Sequence, residues 1–291
     1  MLRVRSIILG AGGQVGKALL ATAPADAQAI GLSRAELDIS DRQAIYAAFA
    51  SHKPDIVINA AAYTAVDKAE SEHDAAFLIN TVAAKHMAEA AASAGAHIVH
   101  ISTDFVFDGR ASSPYAPDTP ISPLGVYGAS KAEGEQAVRD AQPDALIVRT
   151  AWVYAAGTAN FVSTMLRLMA TGNPVRVVAD QVGTPTHATS LARALWAMAA
   201  AGATGTHHYT DAGVASWYDL AVATGELAHG HGLLPARPEI VPIRTADYPT
   251  PAVRPSYSVL DKTSAWAIPG VSSRHWRDEL DHMFLELKAK N

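Results

Sequence analysis

The sequence predicts an α/β fold: a doubly wound parallel sheet carrying a smaller C-terminal substrate-binding domain. Three observations lead there. Short β-branched runs alternate with Ala-rich helical stretches through the first half, the mark of βαβ units. A glycine-rich turn follows the first of those runs directly, and prolines crowd the region from Pro235 to Pro255. Strands are expected at Val4–Leu9, 28–32, Ile56–Asn59, 97–102 and 146–149, with helices beginning near Val15, Arg42, Ala75 and Gly128. The stretch Ala83–Ala94 is nearly all Ala, Lys, Met and Glu, suited to a crossover helix packed closely on a sheet. After Trp152 the rhythm loosens into helices at 160–171, 191–201 and 217–229 and a short strand at Val175–Val178. The proline-dotted stretch reads as loops and short edge pieces, because proline breaks helices and central strands. These readings divide the chain into a dinucleotide-binding domain (1–152 plus about 186–228) and a substrate-binding domain (about 153–185 plus 229–291).

Bulk properties narrow the function classes. The 291 residues are 49% apolar and 18% charged, as in a globular enzyme. A net charge of −5 offers no basic field for nucleic acid or an acidic membrane. With no cysteine, disulfides, thiolate metal sites and thiol nucleophiles are excluded, which fits the cytoplasm. The apolar start, Met1 to Gly10, is too short for a signal sequence and reads as a first strand. No stretch approaches the roughly 18 apolar residues of a membrane span.

The turn Gly10-Ala-Gly-Gly-Gln-Val-Gly16 has the strand-then-helix context of a Rossmann-type dinucleotide site. Gly10 permits the turn, Gly13 lets backbone approach a pyrophosphate, and Gly16 allows close helix–sheet packing. The helix N-terminus that follows offers N–H donors to phosphate. At the end of the second strand stand Ser33 and Arg34, with no carboxylate until Glu36, which favours NADPH and leaves NADH possible. Asp38 and Ile39 are placed to border the adenine. Asn59-Ala-Ala-Ala-Tyr63 closes the third strand with small residues, as needed where backbone runs along a cofactor.

Tyr127 and Lys131 lie four apart at the start of a predicted helix and so share one face. A phenol with a free pKa near 10 is a poor acid–base catalyst at neutral pH, and a neighbouring ammonium is expected to bring it down. Thr103, ending the fourth strand run, supplies a hydroxyl to polarise a carbonyl. The set suits hydride transfer to a carbonyl carbon with Tyr127 protonating the oxygen.

The Gly10 turn, Asn59 to Glu70, Ser102-Thr-Asp-Phe-Val-Phe-Asp-Gly109, Pro123-Leu-Gly-Val-Tyr-Gly-Ala-Ser-Lys131, Arg149-Thr-Ala-Trp-Val-Tyr154, Asp180-Gln-Val-Gly-Thr-Pro-Thr186 and Tyr248-Pro-Thr-Pro-Ala-Val-Arg-Pro255 together resemble the dTDP-4-dehydrorhamnose reductase family of extended short-chain dehydrogenase/reductases. The resemblance covers nearly the whole chain. It implies reduction of the 4-keto group of dTDP-4-dehydro-β-L-rhamnose to dTDP-L-rhamnose. By matching motif, Tyr127 would be the proton donor, Lys131 its partner and Thr103 the tuning hydroxyl. Asp104 and Trp152 would contact the sugar nucleotide. Gly13, Gln14, Val15, Asp38, Ile39, Ala61, Ala62 and Tyr63 would line the cofactor. Arg254 is a further candidate, for the substrate diphosphate.

Some members of that family bind magnesium at a dimer interface through glutamates. The corresponding stretches here, Gly16-Lys-Ala-Leu19 and His187-Ala-Thr-Ser190, have none. The expectation is no metal, and a monomer or weak homodimer. The histidine pairs His97/His100, His207/His208 and His229/His231 also lack a ligating pattern. An epimerase or 4,6-dehydratase is the nearest alternative, but where similar dehydratases have Glu after Thr-Asp this chain has Phe105. A non-catalytic cofactor-binding regulator is the alternative from another class, and it would not need the Tyr/Lys/Thr set.

Overall fold

The structure is a computed structural model that describes residues 4–272 and 274–289. Residues 1–3 and 290–291, the two ends of the expected division into domains, lie outside the described residues.

Six elements alternate at the start: β1 (Val4–Leu9), α1 (Gln14–Ala21), β2 (Ala27–Leu32), α2 (Arg42–His52) and β3 (Ile56–Asn59), then a short α3 (Val66–Ala69). Local chemistry sets their bounds. Asp41 caps α2 by accepting from Gln43 N and Ala44 N, as N-cap carboxylates do. The helix expected near Ala75 is α4 (His73–Phe77) running through a π segment, Leu78–Val82, into α5 (Ala83–Ala94), which stops at Gly95 with φ +70°. There follow β4 (His97–Thr103), α6 (Val126–Ala141), β5 (Leu146–Thr150) and β6 (Val153–Tyr154). The second half holds α7 (Phe161–Met169), β7 (Val175–Val178), β8 (Val182–Gly183), β9 (Thr186–His187) and α8 (Ala188–Ala200). It continues through β10 (Gly205–His208), β11 (Ala215–Ser216), α9 (Trp217–Gly230), β12 (Ile240–Ile243), α10 (Thr263–Trp266) and α11 (Trp276–Ala289).

The central sheet is parallel throughout, in the order β2-β1-β3-β4-β5-β10. Its sixth strand, Gly-Thr-His-His, is too short and polar to be read as a strand from sequence. The direction of winding reverses between β1 and β3, so a crevice opens at their carboxyl ends, where ligands of such sheets bind. Ile45 and Phe49 of α2, Met87 of α5 and Val138 of α6 cover one face. Leu19 of α1 and Leu191, Leu195 and Met198 of α8 cover the other. Both faces are buried, which is why the strands read as continuous apolar runs.

A third core forms the smaller lobe from α7, α9 and α11, with Met165, Leu220, Leu280 and Phe284 at its centre. Here the packing draws a different line from the sequence-based division. Helix α9, assigned to the sheet domain through residue 228, buries Leu220 and Ala221 in this third core. Conversely Ala265 of α10 packs under the sheet. Sequence alone does not say which core takes a helix's apolar face.

Candidate active site

The glycine turn is built as its spacing requires. Gly10 has φ +74°, and a Cβ there would lie 2.7 Å from Ala61 N. A Cβ on Gly16 would lie 2.3 Å from Gly10 O, so α1 can approach β1 only with glycine present. Gly13 is the N-cap of α1, and no side chain caps the helix or places an acid in its first turn. Its first N–H groups thus face the crevice without a competing carboxylate on that turn, a fit for a phosphate. Val15 packs on the core beneath, while Gln14 Oε1 accepts from Thr158 Oγ1 (3.0 Å) and Asn160 Nδ2 (3.1 Å), tying the turn to the smaller lobe.

At the end of β2, Ser33 N donates to Glu36 Oε2 at 2.8 Å, and hydrogen bonds from Ser33 lower the Glu36 pKa. The carboxylate that is three residues away in sequence therefore folds back onto Ser33. Arg34 is exposed. Asp38 accepts from Ser40 N (2.9 Å) and Ser40 Oγ (2.7 Å), and Ile39 packs on the core. Ala61, Ala62 and Tyr63 run half-buried from the end of β3. Ala61 N donates to Asn59 Oδ1, and Tyr63 is held by Asn80 and Glu72.

Tyr127 sits in the first turn of α6, half-buried, with its ring edge-on to Phe105 at 5.5 Å. The Thr103 side chain lies beside its phenol, and Thr103 Oγ1 donates to Asp104 Oδ1 at 3.0 Å. Burial pushes the Tyr127 pKa up to about 12; Thr103 pulls it back and the Asp104 charge adds to the rise. This reverses the expectation that the lysine lowers the phenol. Lys131 Nζ instead donates to Ile101 O at 2.7 Å and approaches His100 Nε2 at 3.4 Å, and no hydrogen bond joins it to Tyr127 among those described. Burial lowers the Lys131 pKa to about 8, against a smaller upward pull from Glu135. Asp104 is buried, its pKa raised by that burial to about 6, and its Oδ2 has no hydrogen-bond partner among the described residues.

A cavity of about 780 Å³ opens in the smaller lobe, lined among others by Phe161, Arg176, Gln181, Trp217, Tyr248 and Arg254. Thr103, Tyr127 and Lys131 do not line it. Trp152 stacks on Trp217 of the cavity lining with centroids 3.6 Å apart. Trp152 has φ +48°, a left-handed conformation rare for a bulky residue. Arg254 forms a bidentate pair with Asp67, Nη1 to Oδ1 at 3.1 Å and Nη2 to Oδ2 at 2.8 Å, which joins α3 to the cavity wall.

Comparison with known proteins decides the family. The RmlD substrate binding domain model matches residues 4–289. The chain belongs to that family. It is 40% identical to the spore coat polysaccharide biosynthesis protein SpsK of Bacillus subtilis, covering 94% of each chain. It is also 40% identical to the dTDP-4-dehydrorhamnose reductase of Aggregatibacter actinomycetemcomitans, covering 96% of this chain and 98% of that one. Among solved structures, the dTDP-4-dehydrorhamnose reductase of Bacillus anthracis in complex with NADP superposes with TM-score 0.93 at 33% identity, over 98% of this chain and 99% of that one.

Around the family's motif residues the structure adds groups that sequence reading missed: Asp67, Arg176 and Trp217 at the cavity, and Asn59 and His100 behind Lys131. Asp67 lies inside a quoted motif, but nothing local marks its partner 187 residues away. Near the expected dimer-metal stretch, α11 brings Glu279 and Glu286 to His187, although no glutamate lies in the stretch itself. Among the described residues no cluster of three or more His, Asp or Glu could hold a metal ion. No described helix is long and apolar enough to cross a membrane.

Proposed function

We propose that the chain reduces the 4-keto group of dTDP-4-dehydro-β-L-rhamnose to dTDP-L-rhamnose, with Tyr127 as the proton donor. The observation that carries this reading is the Tyr127–Thr103–Asp104 cluster at the carboxyl end of β4, in an RmlD-family chain whose glycine turn follows β1 in the same sheet. NADPH, when bound, supplies the hydride. The uncapped N-terminus of α1 and the small residues Ala61 and Ala62 suit its phosphates and ribose. Arg34 suits the 2′-phosphate. NADH is the second reductant we propose, because Glu36 is held against Ser33 at the end of β2, where an acid serves the ribose hydroxyls of NAD.

Tyr127 acts as an acid here, and its raised pKa keeps the proton in place at neutral pH while making it harder to give up. The phenol is fully protonated at neutral pH and gives up its proton from Oη as charge builds on the substrate oxygen. Thr103 orients Oη and Asp104 orients Thr103. Trp217, stacked on Trp152, gives the cavity an apolar wall for the sugar nucleotide, and Arg176 and Arg254 supply cationic groups for a diphosphate. Dissolved in the cytoplasm, the chain would act as a monomer or weak homodimer on a small nucleotide sugar. Supplying dTDP-4-keto-6-deoxyglucose with a 3,5-epimerase and following NADPH and NADH oxidation tests the reading. Stoichiometric NADPH oxidation with formation of dTDP-rhamnose is expected; no oxidation with this keto-sugar would overturn it.

A further inference from the structure

Behind Lys131 lies a buried polar chain that the reaction as described does not use. Asn59, His100 and Lys131 are 1%, 1% and 2% exposed, so no member turns to solvent for a partner. The chain has a direction, and the backbone sets it. Ala61 N–H donates to an Asn59 side-chain atom at 3.1 Å, and only the amide oxygen can accept. The Asn59 amide nitrogen is therefore the atom 3.0 Å from His100 Nδ1, and it donates there. Burial, then the charges of Lys131 and Arg139, holds the His100 pKa well below the usual range, so the ring is neutral and carries one N–H. With Nδ1 accepting, that hydrogen sits on Nε2, which faces Lys131 Nζ at 3.4 Å. An ammonium has three donors and no acceptor, so it meets this N–H donor to donor. A neutral amine has a lone pair to accept it, and keeps N–H groups for Ile101 O at 2.7 Å.

We propose that His100, its tautomer dictated by Asn59, is a positioning residue for Lys131 that presents Nε2–H to the lysine nitrogen and favours the neutral amine. The proposal rests on the catalytic reading of Lys131 for its consequence, not for its geometry. Other charges around the lysine are accounted for: Glu135, four residues on along α6, favours the ammonium but is itself bound by Arg149 and Arg139. Burial lowers the lysine pKa to about 8, and the imidazole N–H works in the same direction. Lys131 then changes charge near pH 8, and the ammonium is present only on the acid side.

The first test uses the unaltered protein. In 15N-histidine-labelled enzyme, with the His100 signals assigned by their loss in His100→Gln, the protonated nitrogen is expected to be Nε2; a proton on Nδ1 overturns the proposal. The second follows Lys131 by NMR of its 13Cε across pH. In Asn59→Asp the new carboxylate accepts from both Ala61 N–H and His100 Nδ1, moving the imidazole proton and turning a lone pair towards Lys131. The lysine midpoint should rise by about one pH unit or more. Because the new charge also acts through space, the same change is made in a His100→Gln background, where the amide N–H cannot move to another ring atom. Most of the rise should be lost there; an equal rise in both backgrounds, or none in either, overturns the proposal. The alkaline limb of kcat/KM should follow the NMR midpoint. A midpoint that moves while the limb stays leaves the proposal standing and removes the catalytic role of Lys131.

Discussion

Single side chains at this site work through what lies behind them. Tyr127 is identifiable from its motif, but its acidity is set by burial and by Thr103 and Asp104, which no spacing rule reports. Tyr127→Phe removes one oxygen without changing the ring that packs on Phe105. Turnover should fall by about 10²- to 10⁴-fold, with NADPH affinity in a fluorescence titration nearly unchanged; full activity would end the proton-donor assignment. Trp152 makes the same point through its backbone. Its left-handed φ of +48° and its stack on Trp217 leave no room opposite, where a Cβ on Gly183 would lie 2.8 Å from the indole. Gly183→Ala should move the indole and raise KM for the nucleotide sugar more than it lowers kcat in steady-state assays, since the atoms nearest the added methyl belong to Trp152 and Ser258.

Among the elements, α6 carries most of the site, and close contacts hold it. A Cβ on Gly128 would lie 2.2 Å from Phe105 O, and one on Gly134 would lie 2.0 Å from Asn80 O in the π segment. The two glycines let α6 lie against β4 and the π segment so that Tyr127 reaches Thr103. Glu135 fastens the helix from below: it takes Arg149 Nε at 2.8 Å and Nη2 at 2.7 Å from β5, and Ser102 Oγ at 2.6 Å from β4. The pair is almost completely buried, so removing one partner strands a charge. Glu135→Leu should cost about 3–5 kcal/mol in urea unfolding, and adding Arg149→Met should recover much of it. No recovery would show that the pair does more than neutralise itself.

At the scale of the whole molecule, α11 is pinned to the sheet lobe by a buried ionisable cluster. His187 faces Glu279 at 3.5 Å and Glu286 at 3.6 Å, while Asp211 accepts from His187 N and from Ser190 Oγ. Burial lowers the His187 pKa, but the hydrogen bond to Glu279, the close approach of Glu286 and the charges of Glu286 and Asp211 outweigh it and raise it to about 9. A folded pKa above the unfolded 6.5 means stability that is complete below about pH 6.5 and lost as pH rises through 9. Asp211, raised by burial to about 7, acts in the same sense: the native state keeps a proton the unfolded chain has released, so stability falls between about pH 4 and 7. Thermal melts should show the protein weakening from pH 5 to 9, with the gap between it and His187→Gln closing as pH approaches 9. A gap that widens with pH would contradict the assignment.

Most of the fold and the core of the site are legible in the chain because they rest on local rules. Apolar runs and alternation mark the first five strands, and Gly10 and Gly16 mark the turn because only glycine tolerates their contacts. Tyr127 and Lys131 share a helical face because four residues are about one turn. Tertiary structure decided what depends on distant neighbours: that α9 belongs to the smaller lobe, that β10 completes the sheet, that Arg254 meets Asp67, and that Glu36 returns to Ser33. It also decided the state of Tyr127 and Lys131, since burial raises the phenol and lowers the lysine while Ile101 and His100 hold the amine. Motifs record which groups are present. Their protonation follows from desolvation and from partners across the sheet, and those exist only once the chain has folded.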